Sequence, residues 1–335
     1  MTADSPATGS APAWTRLTDL ARRDIGGAVV WATDESFAEK ENLITPGAAR
    51  FDPEEFGHKG KVYDGWETRR RRVPGEDHAI IRLGVPGVLE GVVVDTSWFL
   101  GNYPPEVSVS ALNRPGYATP EELAEAEWTE IVPRTAIGGG AEHHFDVASD
   151  GKWTHVRLTM HPDGGIARFR AHGTPCPDPA FLRGTVDLAA MENGGHVTDC
   201  SNLFYSSPDN LLARGLPANM GGGWENARRR GDGNDHVEIA LAGVGVVDWI
   251  ELDTSYFVFN APGAAKVTGR LGDGEWRELV PRTPLLPDTR HRYVVEDGEP
   301  IDAVRVDVYP DGGMARVRVM GTLTEEALAD IESRW

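Results

Sequence analysis

The chain has 335 residues, of which 40% are hydrophobic and 25% charged, as is typical of a soluble globular protein, and its length suits two domains. With 33 basic and 52 acidic residues, its formal charge of −19 argues against a nucleic-acid partner and against an anionic membrane surface. No apolar run is long enough to span a bilayer, and the N-terminal segment does not read as a secretory signal, so we expect a cytoplasmic protein.

Helix signals are few and strand signals dominate. A short helix is predicted over residues 16–23, followed by β-branched strands bounded by Gly or Pro at residues 79–83, 91–95 and 107–111. Because no helices separate these strands, the pattern indicates an antiparallel, all-β sandwich rather than a parallel sheet. A second helix is predicted from Thr324 to Arg334, with Thr324 as its N-cap.

The clearest local prediction is a hairpin. Residues 154–161 and 166–173 flank Pro-Asp-Gly-Gly, a strong turn signal. An even-length loop places Leu158 opposite Phe169 and gives the pair of strands one continuous apolar face.

The other face of this hairpin carries arginines. Arg157 is expected opposite Arg170, with Arg168 beside them. Opposed like charges destabilise a sheet unless an anion covers them, and guanidinium groups bind carboxylates in a bidentate manner. The alternatives are therefore a carboxylate-binding surface or neutralisation by Asp or Glu from a neighbouring strand. Arg134, after Val-Pro, is a further binding candidate or a solvated loop residue.

The sequence is a tandem duplication. Seven blocks recur in the same order, at offsets that fall from 168 to 158 to 148 residues. The second copy therefore lacks ten residues between the counterparts of Ile44 and Asp64, and ten more between those of Pro104 and Glu127. Among the repeated blocks are Gly65-Trp66-Glu67 with Gly223-Trp224-Glu225, and Asp95-Thr96-Ser97 with Asp253-Thr254-Ser255.

The duplication sets the expected domain organisation. We expect a disordered tail over residues 1–13, a first repeat over 14–173, a Pro-rich linker over 174–184, a second repeat over 185–322 and a C-terminal helix over 323–335. The linker, with three prolines in residues 174–179, is predicted to be extended rather than helical. Cys176 and Cys200 have neither metal-site spacing nor a disulfide framework.

Two acidic residues are candidates for chemistry. Asp95 ends an apolar strand before an aromatic, Gly-containing loop, which is typical either of a small-molecule site or of a turn that the carboxylate caps. Glu67 lies near a turn and is either a general acid or base, or an ion-pair partner of the arginines that follow it.

Histidines crowd the end of the first copy. Their positions are 143, 144, 155, 161 and 172, whereas the second copy has only His291 in the corresponding region. This asymmetry indicates either a titrating or metal-binding site that one copy kept, or structural and surface histidines. No HxH or HExxH spacing accompanies the cluster, so the metal signal is weak.

Several blocks together resemble the allantoicase (allantoate amidinohydrolase) family. They are Gly65-Trp66-Glu67-Thr68 with Arg69 to Arg72, Asp95 to Phe99 with Gly101-Asn102-Tyr103-Pro104, Val132-Pro133-Arg134-Thr135, and Arg157 through Pro162-Asp163-Gly164-Gly165 to Arg168. The resemblance covers residues 14–322 and implies two jelly-roll β-sandwiches of the galactose-binding-like kind. It also implies hydrolysis of allantoate to ureidoglycolate and urea in allantoin (purine) degradation.

That reaction needs a cation for the substrate carboxylate, an acid for the departing nitrogen and a base for water. We expect the catalytic groups among Glu67, Asp95 and His144, and substrate contacts among Trp66, Asn102, Arg134, Arg157, Arg168 and Arg170. A divalent metal is compatible with such chemistry, but no spacing demands one. Whether the chain forms a homo-oligomer is left open.

Two alternatives to an enzyme remain at this point. One is a non-catalytic carbohydrate or small-ligand binding protein, since the same fold also serves binding. The other is a purely structural tandem domain. The second copy has Asn226-Ala227 where the first has Thr68-Arg69, and Tyr256 replaces Trp98, so one or both repeats could be active.

Overall fold

The computed structural model describes residues 11–335, and most of the tail predicted over residues 1–13 lies outside them. The chain divides into two compact units, the first ending at Thr174 and the second beginning at Pro175. Among the described residues, no helix combines the length and the apolar character that a membrane crossing requires.

The first unit consists of short 3-10 helices, one short α-helix and twelve strands. The 3-10 helices are Ala13–Arg16, Arg23–Ile25 and Lys40–Ile44, and the α-helix α1 is Pro120–Ala124. The strands are β1 (Thr18–Asp19), β2 (Ala28–Ala32), β3 (Phe56–Gly57), β4 (Gly60–Lys61), β5 (Trp66–Glu67), β6 (Asp77–Asp95), β7 (Glu106–Leu112), β8 (Thr129–Ala136), β9 (Glu142–Asp146), β10 (Lys152–His161), β11 (Gly165–Ile166) and β12 (Arg168–Pro175).

One long strand, β6, belongs to both layers of this sandwich. Its first part pairs with β2 and β10, and β7 and β8 follow outward from β10; these strands form the first layer. Its last part pairs with β9, and β12 and β1 complete that layer. The sequence predicted two separate strands at 79–83 and 91–95, but these are the two ends of β6. Between them, a side chain at Gly84 would collide with the backbone of Ile25 and Gly27.

The predicted hairpin is wrong. Strands β10 and β12 do not pair with each other, because β6 lies between them in the strand order. The inward faces were nevertheless assigned correctly, since Leu158 and Phe169 are both fully buried. Two strands can bury apolar faces against each other from opposite layers of a sandwich as readily as side by side. As a result, Arg157 and Arg168 lie on opposite layers and form no common surface.

The second unit repeats this topology in eight strands and ends in a helix. The strands are β13 (Val186–Asp187), β14 (His196–Cys200), β15 (Asp235–Asp253), β16 (Ala264–Arg270), β17 (Arg277–Pro284), β18 (Arg290–Val294), β19 (Ile301–Tyr309) and β20 (Arg316–Leu323). Its 3-10 helices are Pro179–Phe181, Met191–Asn193, Pro208–Leu212 and Met220–Gly222. Strand β15, like β6, joins the two layers.

The helix predictions had mixed outcomes. The helix expected from Thr324 is present as α2 (Glu325–Arg334), and the Thr324 hydroxyl accepts a hydrogen bond from Ala327 N. The helix predicted over residues 16–23 is wrong, because Thr18 and Asp19 pair with β12 instead. The prediction of an extended linker fails in part, since the Asp178 carboxylate caps the 3-10 helix Pro179–Phe181.

Both units are antiparallel β-sandwiches with few short helices, as the sequence predicted. Each unit has its own core, in which alternate residues of strands such as β7 and β20 are buried. The loops at the strand ends therefore carry most of the polar groups that can meet a ligand.

Candidate active site

A glutamate and an asparagine meet at the end of the first sandwich. Asn102 Nδ2 donates a hydrogen bond to Glu67 Oε1 at 2.7 Å. Gly165 fixes both residues, because it pairs with Glu67 across β5 and β11 and donates its N–H to the Asn102 carbonyl oxygen at 2.7 Å. The two predicted site residues are thus held side by side by backbone contacts.

Neighbouring groups anchor β5 beneath this pair. Trp66 is fully buried, and its Nε1 donates to the Asp34 carbonyl oxygen at 2.7 Å. Asn42 Nδ2 donates to the Gly65 carbonyl oxygen at 3.0 Å. Trp66 was expected to contact substrate, but with no exposed surface it instead supports the strand that carries Glu67.

Position 165 requires glycine because there is no room for a side chain. A Cβ atom there would lie 2.1 Å from the Phe99 ring, and Phe99 is itself fully buried. Any side chain would push the loop away from Phe99 and disturb its pairing with Glu67. The Pro-Asp-Gly-Gly block, which the sequence assigned to a hairpin turn, therefore serves the Glu67 site.

Burial raises the pKa of the Glu67 carboxyl group, and the hydrogen bond from Asn102 partly opposes that rise. Desolvation disfavours the charged carboxylate, so the protonated acid persists to a higher pH than in an exposed glutamate. A carboxyl group in this state is suited to donate a proton to a leaving group.

Two basic residues lie on segments around β5. The Arg69 side chain, two residues along from Glu67, is 76% exposed, with its Nε 3.2 Å from Asp34 Oδ2. Lys59 Nζ donates to the Glu35 carbonyl oxygen at 3.4 Å. The chain next to Glu35 is joined to β5, because Ala38 N donates to the Glu67 carbonyl oxygen. We call Arg69 and Lys59 the cationic rim.

Arg168 and Arg170, expected to bind substrate, hold a loop instead. Arg168 is 2% exposed and pairs with the Asp64 carboxylate at 2.7 Å. It also donates to the carbonyl oxygens of Asp64 and Gly47. Arg170 donates to those of Thr45 and Gly47. We call this pair of arginines the loop clamp.

The other two arginine candidates lie on the outer side of the first layer. Arg134 is exposed and pairs with Glu106. The Arg157 guanidinium stacks over the Trp128 ring, 4.9 Å from its centroid. Within residues 11–335, neither makes a hydrogen bond or ion pair with Glu67 or Asn102.

Asp95 and His144 are also placed apart from the pair. Asp95 Oδ1 accepts a hydrogen bond from Ser97 N at 2.7 Å, as in the turn-capping alternative. His144, on β9, lies with its ring centroid 5.8 Å from that of Trp14. In the described part of the chain, no hydrogen bond or ion pair joins either residue to Glu67 or Asn102. Of the nine predicted site residues, Glu67 and Asn102 are brought together.

The model of the allantoicase repeat matches this chain twice, over residues 18–176 and 186–324. A "Probable allantoicase" of Nocardia farcinica is 58% identical over 314 residues, covering 92% of this chain and 95% of its own. The allantoicase of Dictyostelium discoideum is 38% identical, covering 92% and 87%. The crystal structure of allantoicase from Saccharomyces cerevisiae superposes with a TM-score of 0.78 at 34% identity, covering 91% and 92%. The chain belongs to the allantoicase family.

In this allantoicase-family chain, the second unit keeps the central pair. Asn260 Nδ2 donates to Glu225 Oε1 at 2.6 Å, and Gly313 N donates to the Asn260 carbonyl oxygen. The rim differs, since Ala227 replaces Arg69 and Leu203 replaces Glu35. Leu203, Phe204 and Tyr205 are exposed there. The two allantoicase repeats therefore share an acid but not its cationic surroundings.

Metal-ligand groups also distinguish the repeats. Within residues 11–335, the only cluster of three such groups comprises Asp199, His236 and Glu238 in the second unit, with ligand atoms within 4.8 Å of one another. Arg305 Nη1 already pairs with Glu238 Oε1 at 2.9 Å. The cluster is therefore accounted for by ion pairing, and it lies in the repeat that lacks the cationic rim.

Sequence reasoning did not single out Arg69 among the candidate site residues. The arginines from Arg69 to Arg72 were considered only as possible ion-pair partners of Glu67, and nothing in the run marks one member. The duplication did carry a signal, because the second copy replaces Arg69 with Ala227 while keeping the Arg that follows. A residue that differs between otherwise matched copies is a candidate for the function they do not share.

Proposed function

We propose that the first unit hydrolyses allantoate to ureidoglycolate and urea, with Glu67 as the proton donor and Arg69 as the partner of the substrate carboxylate. The observation that carries this assignment is the half-buried Glu67–Asn102 pair, with the exposed Arg69 two residues along the chain from Glu67. Family membership supports the reaction, and the first unit has Arg69 at the position where the second unit has Ala227.

The chemistry divides into two steps at the central carbon of allantoate. Glu67 gives its proton to the departing ureido nitrogen as the carbon–nitrogen bond breaks, which releases urea. At the same time, the lone pair of the nitrogen in the remaining ureido group forms a double bond to the central carbon. Water then adds to the same carbon and returns a proton to the Glu67 carboxylate. One carboxyl group thus acts as acid and then as base, and the net reaction consumes one water.

Incubation of the purified full chain with allantoate tests the proposal directly. Release of urea together with ureidoglycolate is expected. Binding of allantoate without urea release, measured by calorimetry, would instead identify a non-catalytic small-ligand binding protein.

Arg69→Ala is expected to raise KM for allantoate by about 10- to 100-fold, the range lost with one charge-assisted hydrogen bond. The fold is unaffected, since the Arg69 side chain is largely exposed and the backbone contact from Arg69 N to Asp34 remains. Arg72→Ala, an exposed member of the same run, is the matched control. Steady-state kinetics of both variants measure the effect. An unchanged KM in Arg69→Ala would show that Arg69 does not bind the substrate carboxylate.

The rate is expected to fall as pH rises through the pKa of Glu67, because only the protonated form can donate. Burial raises this pKa, so the fall occurs at a higher pH than for an exposed glutamate. Asn102→Ala removes the hydrogen bond that lowers the pKa and should move the fall to still higher pH. The pH profile of kcat/KM measures the shift. Asn260→Ala is the matched change in the second unit and should leave the pH profile unchanged. A shift in Asn260→Ala but not in Asn102→Ala would show that the catalytic acid belongs to the second unit.

A further inference from the structure

A serine, a histidine and a glutamate form a connected row on the outer side of the first layer. Ser108 Oγ lies 2.9 Å from His161 Nε2, and His161 Nδ1 lies 3.0 Å from Glu76 Oε2. Ser108 is on β7, His161 ends β10, and Glu76 directly precedes β6. Three segments far apart in the sequence therefore converge on one imidazole ring.

For a neutral imidazole ring, the contacts set the direction of each hydrogen bond. An ionised carboxylate only accepts hydrogen bonds, so the His161 Nδ1 that faces Glu76 carries the proton. The Nε2 atom then presents its lone pair to Ser108, whose hydroxyl is the donor. This is the arrangement in which a histidine removes a serine proton, with a carboxylate holding the ring in place.

The surroundings leave the serine accessible. Val107 and Val109 are fully buried, so the alternating strand turns Ser108 outward, where it is partly exposed. His161 is 9% exposed and Glu76 is exposed. Glu106, on the same face of β7, binds the exposed Arg134. The guanidinium of Arg134 thus lies on this face and is held by the Glu106 carboxylate.

The second unit lacks all three groups. In the matching strand register, Lys266 replaces Ser108, Tyr309 replaces His161 and Asn234 replaces Glu76. The row is consequently not a feature that the sandwich needs in order to fold. Nor does it contact Glu67 or Asn102, since no hydrogen bond or ion pair connects them in the described part of the chain.

We propose that Ser108 is a nucleophile activated by His161 and Glu76, and that this face accepts small acyl esters. In the first step, Ser108 Oγ bonds to the ester carbonyl carbon while its proton passes to His161 Nε2. The carbon–oxygen bond to the alcohol then breaks, and the alcohol leaves with that proton. Water attacks the acyl-serine, gives a proton to His161, and Ser108 Oγ leaves with it, so one ester and one water yield an acid and an alcohol.

A fluorophosphonate tests the nucleophile without knowledge of the natural ester. Ser108 Oγ attacks phosphorus and expels fluoride, which leaves one covalent adduct per chain. The full chain is incubated with this probe, and the adduct is located by peptide mass spectrometry. We expect modification at Ser108 and no such modification in Ser108→Ala. The labelling rate of His161→Gln should be lower than that of the unaltered chain by at least about 100-fold, since a positioned base contributes at least that factor.

Ser110 provides the matched control. It lies on the same strand and face as Ser108, opposite Arg157 rather than Thr159. Within residues 11–335, no hydrogen bond joins it to a histidine. Ser110→Ala should label as the unaltered chain does. Hydrolysis of p-nitrophenyl acetate should follow the labelling pattern, whereas allantoate hydrolysis should be unchanged in Ser108→Ala. Absence of an adduct at Ser108, equal labelling of Ser110, or undiminished labelling of His161→Gln would each overturn the proposal, whatever the outcome with allantoate.

Discussion

Glu67→Gln is expected to lower kcat for allantoate by about 10²- to 10⁴-fold, the usual contribution of a positioned general acid. Glutamine keeps the size of the side chain, and its carbonyl oxygen can still accept the hydrogen bond from Asn102. The variant loses only the transferable proton. Steady-state rates of urea release measure the effect.

Two further measurements make this prediction specific. Glu225→Gln changes the equivalent acid of the second unit and should leave kcat unchanged, because that unit lacks the cationic rim; an equal loss there would mean that both repeats are active. Stability provides the other measurement. The folded-state pKa of Glu67 is raised, so its stabilising contribution is lost as pH rises through that pKa. Glu67→Gln should therefore be at least as stable as the unaltered chain at pH 8.

Arg168→Ala is expected to destabilise the first unit by about 2–4 kcal/mol, because it removes a buried guanidinium group together with its ion pair to the partly exposed Asp64 and its hydrogen bonds to loop carbonyl oxygens. The substitution removes one donor from the Asp64 carboxylate, which keeps the hydrogen bond from Arg50 N, and leaves the Asp64 carbonyl oxygen without the Arg168 guanidinium. The Gly47 carbonyl oxygen keeps its hydrogen bond from Arg170. For a unit of this size, the midpoint of thermal unfolding should fall by roughly 10 °C. Calorimetry of the full chain measures the shift.

Arg134→Ala is the matched control for the loop clamp. Its ion pair with Glu106 is exposed, and such pairs contribute little to stability, so the unfolding midpoint should hardly move. Arg168→Lys should be destabilised as well, because one ammonium group cannot reproduce the planar fork of donors. A midpoint for Arg168→Ala equal to that of the unaltered chain would show that the loop does not depend on the clamp.

Internal repetition and strand periodicity predicted much of the fold. The matched blocks indicated two related units, and alternation correctly assigned Leu158 and Phe169 to the interior. Pairing was not predictable in the same way. An apolar face shows which side of a strand is buried, but not whether the covering strand is a neighbour in the sheet or belongs to the opposite layer. The prediction of a hairpin between β10 and β12 failed for this reason.

The site was predictable only in part. Glu67 and Asn102 stood out as polar residues in Gly-containing loops, and they meet although 35 residues separate them. Arginines were harder to assign, since the same guanidinium group binds a substrate carboxylate or a backbone carbonyl oxygen equally well. Only the path of residues 45–64 over the sandwich shows that Arg168 and Arg170 are hydrogen-bonded to this loop. Local sequence does not determine that path.

The loop clamp also explains how the two copies could diverge in length. In the second unit, Arg316 and Arg318 donate to the carbonyl oxygens of Ala213, Gly215 and Gly222, the counterparts of Thr45, Gly47 and Asp64. The ten-residue difference falls between the last two of these positions, inside the stretch that the arginines bridge. Because main-chain oxygens are common to all amino acids, this stretch was free to shorten and to change its side chains during evolution while the anchorage stayed intact.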